Sequence, residues 1–211
     1  MSKRPDLRYE RRLWKLGIDA VAGVDEAGVG PMAGPVVAAA VVFAPETFIS
    51  GVHDSKQLTH EQREELFTPI RERAIAVGVG IAEVNEIDRL NIYWATMSAS
   101  RRALSALSLT PGHVLVDGRL IPSLELPQTK IVGGDRKSFC IAAASIIAKV
   151  TRDRMMVDLD GRYPAQFRDR SEIVGHAPPS GYDYNSIAAG SSTYCLKYCR
   201  NRAPVAPSIT R

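Results

Sequence analysis

Three places in this sequence carry side chains suited to chemistry, and all are carboxylates. Asp25 and Glu26 stand together where an apolar stretch, Val21-Ala22-Gly23-Val24, gives way to a glycine-rich turn. Asp117 ends a second apolar stretch, Val114-Leu115-Val116, and Asp135 follows a third behind Gly133-Gly134. A carboxylate at the end of a buried strand is costly unless it is paired, hydrogen-bonded or bound to a cation. If these strand ends converge, Asp25, Glu26, Asp117 and Asp135 form a hard-oxygen site suited to Mg2+ or Mn2+. Such a site can hold two ions, one activating water and one stabilising the leaving oxygen of a phosphodiester. Singly, each acid has a plainer reading. Asp117-Gly118 is a common turn dipeptide, Asp25-Glu26 can solvate a hairpin, and Asp135 can cap a following helix. The joint pattern is what points to a metal.

The turn Gly28-Val29-Gly30 has two readings, a tight hairpin or a backbone that approaches a ligand closely because Cβ atoms are missing. A dinucleotide fingerprint is excluded, because the next segment is a strand flanked by Pro31 and Pro35 and not a helix.

The elements that must position these residues follow from the pattern. Leu7, Leu13, Trp14 and Leu16 suggest a short amphipathic helix within residues 1–20. Val21–Val24 and Val36–Phe43 read as two buried strands joined by the glycine turn. Thr59 with Gln62 fits a capping box opening a helix that runs to about Ala74. Residues 75–84 alternate as a strand, and residues 86–108 read as one or two helices. Short strands are predicted at 113–116 and 127–132, and a long helix over 138–159. The first half of that helix, Ile141-Ala142-Ala143-Ala144-Ser145-Ile146-Ile147-Ala148, is small and apolar enough to demand packing on the sheet. Strands followed by strands alternating with helices predict an α/β fold with a mixed sheet.

Composition sets the outer bounds. The chain has 211 residues, 45% apolar and 24% charged, which excludes wholesale disorder and disulfide scaffolds. Its net charge of +4 hints only faintly at an anionic partner. Residues 165–211 carry six basic and three acidic side chains, so three of the four net charges lie there. The longest apolar run, Val36 to Ala44, is far short of the roughly 20 residues a membrane span needs. Three cysteines and a charged start, without the apolar core of a signal peptide, lead us to expect a cytoplasmic protein.

The stretch from Gly23 to Val36, with its Asp25-Glu26-Ala27-Gly28-Val29-Gly30-Pro31, closely resembles the opening motif of the ribonuclease HII family. The likeness continues at Asp54-Ser55-Lys56-Gln57-Leu58, Val114–Gly118, Gly134–Ser138 and Ile141–Asp153, in the family's order. It covers roughly residues 20–164. The resemblance implies a ribonuclease-H-like mixed sheet flanked by helices and a type II ribonuclease H. Such an enzyme degrades the RNA strand of RNA/DNA hybrids and incises at single ribonucleotides embedded in duplex DNA, leaving 5′-phosphate ends. It implies Mn2+ or Mg2+ held by Asp25, Glu26, Asp117 and Asp135, and a turn, Gly28, Val29 and Gly30, whose backbone touches the ribose 2′-hydroxyl. Lys56 is then expected to contact phosphate, and Lys137 and Ser138 to bind phosphate at a helix start. Ser145 and Lys149 are weaker candidates for nucleic-acid contact. The expected species is a monomer whose partner is the hybrid or ribonucleotide-containing duplex, with no membrane.

Two departures from the family pattern stand out. Val29 replaces the Arg or Lys usual between the two glycines. After Tyr163-Pro164 the family's Tyr-Gly-Phe and His-Lys-Gly-Tyr elements are missing, and only Gly181-Tyr182 faintly echoes them. We therefore expect a catalytic domain over 1–164 and an atypical, irregular segment over 165–211, the product of a disrupted reading frame or a truncated homologue. His176, Cys195 and Cys199 are too few and too awkwardly spaced for zinc. Alternative readings are a catalytically impaired hybrid-binding homologue and a related two-metal nuclease.

Overall fold

The structure, a computed structural model, describes residues 4–31 and 33–162. The expectations for 165–211, including His176, Cys195 and Cys199, lie outside the described residues. In order the elements are α1 (Arg8–Trp14), β1 (Val21–Ala27), β2 (Val36–Phe43), α2 (His60–Arg73), β3 (Ala74–Ala82), α3 (Val84–Ser105), β4 (His113–Asp117), β5 (Gln128–Ile131) and α4 (Phe139–Arg162). Short 3-10 turns lie at Ser55–Gln57 and Gly134–Arg136. Five strands form one mixed sheet in the order β3-β2-β1-β4-β5. The β1–β2 and β2–β3 pairs are antiparallel, and the β1–β4 and β4–β5 pairs are parallel.

The central strands lack alternation because both faces of the sheet are covered. All eight residues of β2 are buried. On one face α3 lays Ala95, Ala99 and Ala103 against Ala22, Val24, Ala38 and Ala40. On the other, α4 brings Ala142, Ala143, Ile146 and Ile147 into a core with Val41, Phe43 and Ile70. The helix sits very close to β1: a Cβ on Gly23 would lie 2.2 Å from the Cys140 carbonyl carbon. This closeness explains why the first half of α4 is built from small residues, as bulk there would lift the helix off the strand.

Two boundaries differ from the sequence reading. Strand β1 does not stop before Asp25 but runs through Ala27, because Asp25, Glu26 and Ala27 all pair with β2. The 86–108 region is one element broken at Asn91 (φ 68°), where the Asn91 Oδ1 accepts from the Trp94 amide (3.2 Å) and starts the second half. The capping box at Thr59 and Gln62 is present as predicted.

Candidate metal centre and its surroundings

Side chains alternate along a strand, so Val21, Gly23 and Asp25 share the α4 face of β1 while Ala22 and Val24 face α3. In the parallel β1–β4 register Val24 pairs with Val116, which places Asp25 beside Asp117 on the same face. The chain leaving β5 turns at Gly133, in the left-handed region (φ 64°), and delivers Asp135 to the same place. Ligand oxygens of Asp25, Asp117 and Asp135 all lie within 4.8 Å of one another. Two local bonds hold the geometry. The Gly134 amide donates to Asp117 Oδ1 (2.7 Å), and the Glu26 amide donates to Asp25 Oδ1 (2.8 Å).

Three carboxylates this close repel, and burial makes the repulsion costly. Asp25 is 6% exposed, and burial, then Glu26, Asp117 and Asp135, push its carboxyl well above the ordinary range. Asp135 is also raised, by burial and by Asp54 and Asp117, against the opposing pull of Lys56 and Arg136. Its Oδ1 is buried with no hydrogen-bond partner among the described residues. Three convergent carboxylates, one with a buried oxygen that accepts no hydrogen bond, make an all-oxygen donor set that Lys56 and Arg136, each 4.0 Å from an Asp135 oxygen, only border. A divalent cation fits it, bringing positive charge into the set itself.

Glu26, the next residue along the strand, lies outside that 4.8 Å grouping, because successive strand residues point to opposite faces. Its charge still reaches the centre. Burial, then Asp117, raise it to about 7, while Lys56 and Arg119 oppose the shift.

The other candidates separate clearly. Lys56 is exposed, with Nζ 4.0 Å from Asp135 Oδ2, so it stands at the rim of the carboxylate group. Its turn is fixed by Asp54, which accepts from the Lys56 amide (3.0 Å) and lies 3.2 Å from Arg136 Nε. Gly28 takes φ +104°, and Val29 and Gly30 are exposed at the apex of the β1–β2 connection. Lys137 is exposed, but its Nζ donates to the Val132 carbonyl (2.6 Å). Lys149 is engaged by Asp153 one turn on (2.6 Å).

Ser138 does not stand open to a phosphate. It is fully buried, and its hydroxyl donates to Glu10 of α1 (2.6 Å), which also accepts from the Cys140 amide (3.0 Å). The start of α4 is thus occupied by a carboxylate from within the chain. Burial raises the Glu10 carboxyl despite these bonds.

Sequence reasoning missed Glu10, Arg119 and Arg152. A buried acid amid a basic helix leaves no signal in its spacing. Arg119 follows a turn, and its guanidinium stands 5.7 Å from the Tyr93 ring. Arg152 is one basic residue among many on the surface half of a helix, yet it is 2% exposed.

A family model described as Ribonuclease HII matches residues 22–172. The chain belongs to the ribonuclease HII family. It is 55% identical over 205 residues to ribonuclease HII of Geobacillus thermodenitrificans, covering 96% of this chain and 76% of that protein. That alignment therefore extends well past residue 164. Similarity to the Geobacillus kaustophilus ribonuclease HII is 53% over 158 residues, covering 75% of this chain and 60% of that one. Among curated relatives the chain thus spans from 50% to 76% of the partner's length. The ribonuclease H2 of Pyrococcus horikoshii OT3 superposes with a TM-score of 0.65 at 28% identity, covering 86% of this chain and all of that one. Bst-RNase HIII, solved in complex with Mn2+, shares the fold at a TM-score of 0.54 and 20% identity, covering 87% of this chain and 71% of that one. Members of this family are endonucleases acting on nucleic acid, and no described helix is long and apolar enough to cross a membrane.

Proposed function

We propose that this chain degrades the RNA strand of RNA/DNA hybrids and incises duplex DNA at single embedded ribonucleotides, leaving 5′-phosphate ends. The observation that carries the reading is the convergence of Asp25, Asp117 and Asp135 within 4.8 Å, with a buried Asp135 oxygen that accepts no hydrogen bond. These three acids would hold Mn2+ or Mg2+, with the Glu26 carboxylate adding negative charge beside them. A bound divalent ion supplies Lewis acidity toward water and the scissile phosphodiester.

The chain's own residues do the rest. The Gly134 amide keeps Asp117 turned toward Asp25 and Asp135. Lys56, exposed beside Asp135, meets the phosphate backbone. The backbone of Gly28, Val29 and Gly30, at an exposed apex, meets the ribose 2′-hydroxyl and so separates RNA from DNA. Lys137 adds a cation near the end of β5. Residues 1–164 form the catalytic domain, and the protein acts as a cytoplasmic monomer.

The test is cleavage of duplex DNA carrying one ribonucleotide, with Mn2+, Mg2+ or EDTA. The expected result is a single cut at the ribonucleotide with either metal and none in EDTA. Equal cutting of all-DNA duplex would show a nuclease of different specificity. Binding without cutting would show a hybrid-binding homologue.

A further inference from the structure

The connection between β1 and β2 rests on one buried cation. Arg152, in the fourth turn of α4, is 2% exposed. Its Nε donates to the Pro35 carbonyl (3.0 Å) and a terminal nitrogen donates to the Ala33 carbonyl (2.8 Å). The near arm of the connection crosses the same group. Gly28 has φ +104°, and a Cβ there would fall 2.5 Å from Arg152 Nε and 2.5 Å from the Pro35 oxygen. Gly34 (φ +84°) lies over the next turn of the helix, where a Cβ would meet Met156 Sδ at 2.3 Å and the Arg152 terminal nitrogen at 3.4 Å. Both feet of the connection therefore stand on Arg152, while Val29 and Gly30 at its apex face solvent.

A guanidinium is expensive to bury, and here its compensation comes from main-chain carbonyls of one short segment. That fixes the Ala33 and Pro35 carbonyls and, through planar peptides, the Gly34 and Val36 amides of the far arm, while on the near arm Gly28 packs directly against the guanidinium and the Pro35 oxygen. We infer that Arg152 is a positioning residue for ribonucleotide recognition, holding the backbone of Gly28–Gly30 in the arrangement that meets a 2′-hydroxyl. It lies beneath the connection and does not itself touch substrate. The inference rests on the proposal that this turn reads the ribose.

The test uses the full chain and two duplexes identical except for one ribonucleotide. Binding is measured by fluorescence anisotropy in Ca2+, and the readout is the ratio of the two affinities. In Arg152→Met the preference for the ribonucleotide duplex is expected to fall about tenfold, the worth of one hydrogen bond to a charged donor. Affinity for all-DNA duplex and the Mn2+-induced rise in Tm should stay unchanged. Arg152→Lys, which keeps the charge and a donor, should lose only about threefold. Ile147→Ala, which opens a cavity on the same helix away from the connection, should lower Tm and leave the preference intact. A folded Arg152→Met protein with the wild-type preference overturns the inference, as does an equal loss in Ile147→Ala. If Arg152→Met does not fold, Arg152→Lys decides: about threefold loss supports the inference and none overturns it. A wild type without preference overturns the ribose-reading turn itself, and this inference with it.

Discussion

Asp25→Asn should stabilise the metal-free protein while abolishing its activity. Asp25 lies against Asp117 and Asp135 with oxygens within 4.8 Å, and burial together with the charges of Glu26, Asp117 and Asp135 disfavours its ionised form. At an effective dielectric near 20, each such pair repels by about 3.5 kcal/mol. Proton uptake limits the cost. A carboxyl with an ordinary value of 3.8 can protonate instead, at about 1.36 kcal/mol per pH unit, which caps the penalty at about 5 kcal/mol at pH 7.5. Asparagine keeps the oxygen that accepts from the Glu26 amide and removes the charge. The variant should therefore gain roughly 2–4 kcal/mol in EDTA at pH 7.5, or about 4–16 °C in Tm for a domain of this size. At pH 4, where the folded wild type already holds the proton, the gain should nearly vanish.

The assay is thermal melting of both proteins in EDTA and in Mn2+ at the two pH values, paired with cleavage of the ribonucleotide duplex. Mn2+ should raise the wild-type Tm and leave the variant almost unmoved. Cleavage should fall by at least about a thousandfold, since the loss of a ligand removes charge stabilisation in the transition state. A variant no more stable than wild type at pH 7.5 in EDTA would refute the reasoning, because the acids would then not be repelling one another.

Glu26 gives the pH dependence its sign. Its folded value of about 7 lies above the ordinary 4.5, so its contribution to stability is full below about 4.5 and is lost as pH rises through about 7. Tm in EDTA should decline across that window, the Mn2+-induced rise should grow across it, and Glu26→Gln should flatten both in a melting series. Glu10→Ala leaves the Ser138 hydroxyl and the Cys140 amide without their acceptor in a buried place, and should cost about 2–4 kcal/mol by urea titration. Val29→Arg adds a cation at an exposed apex. It should tighten duplex binding and steepen the salt dependence by about one unit of slope in an anisotropy titration, and unchanged affinity and slope would show that the apex does not approach the phosphates.

Much of the fold was legible because its elements repeat simple patterns. The uniform Val and Ala of β2 mark a strand covered on both faces, and the small face of α4 marks a helix pressed on a sheet. The three convergent aspartates could be picked out because a charged residue ending an apolar run conflicts with its surroundings. What pattern alone could not supply was direction. Asp25 and Glu26 are neighbours in sequence, yet the strand runs on through them and turns them apart. Ser138 and Lys137 looked like an anion site at a helix start, but Glu10, 128 residues earlier, fills it. Arg152 has the same difficulty, since its partners are main-chain carbonyls more than a hundred residues away and carry no signature of residue type.

Helix α4 connects these observations physically. Its first turn is tied to Glu10, and the 3-10 turn bearing Asp135 immediately precedes it. Further along, Asp153 engages Arg63 (3.4 Å), whose guanidinium also donates to the Ser55 (3.0 Å) and Leu58 (2.6 Å) carbonyls and so braces the turn of Lys56. Arg152 beside it carries the Gly28–Gly34 connection. One helix, held on β1 at the close approach of Gly23, therefore sets the relative positions of Asp135, Lys56 and the Gly28–Gly30 turn. Close-packed cores transmit displacements rather than absorbing them. A change that shifts α4 along β1 should disturb all three together, whereas a change at any one clamp should disturb that one alone.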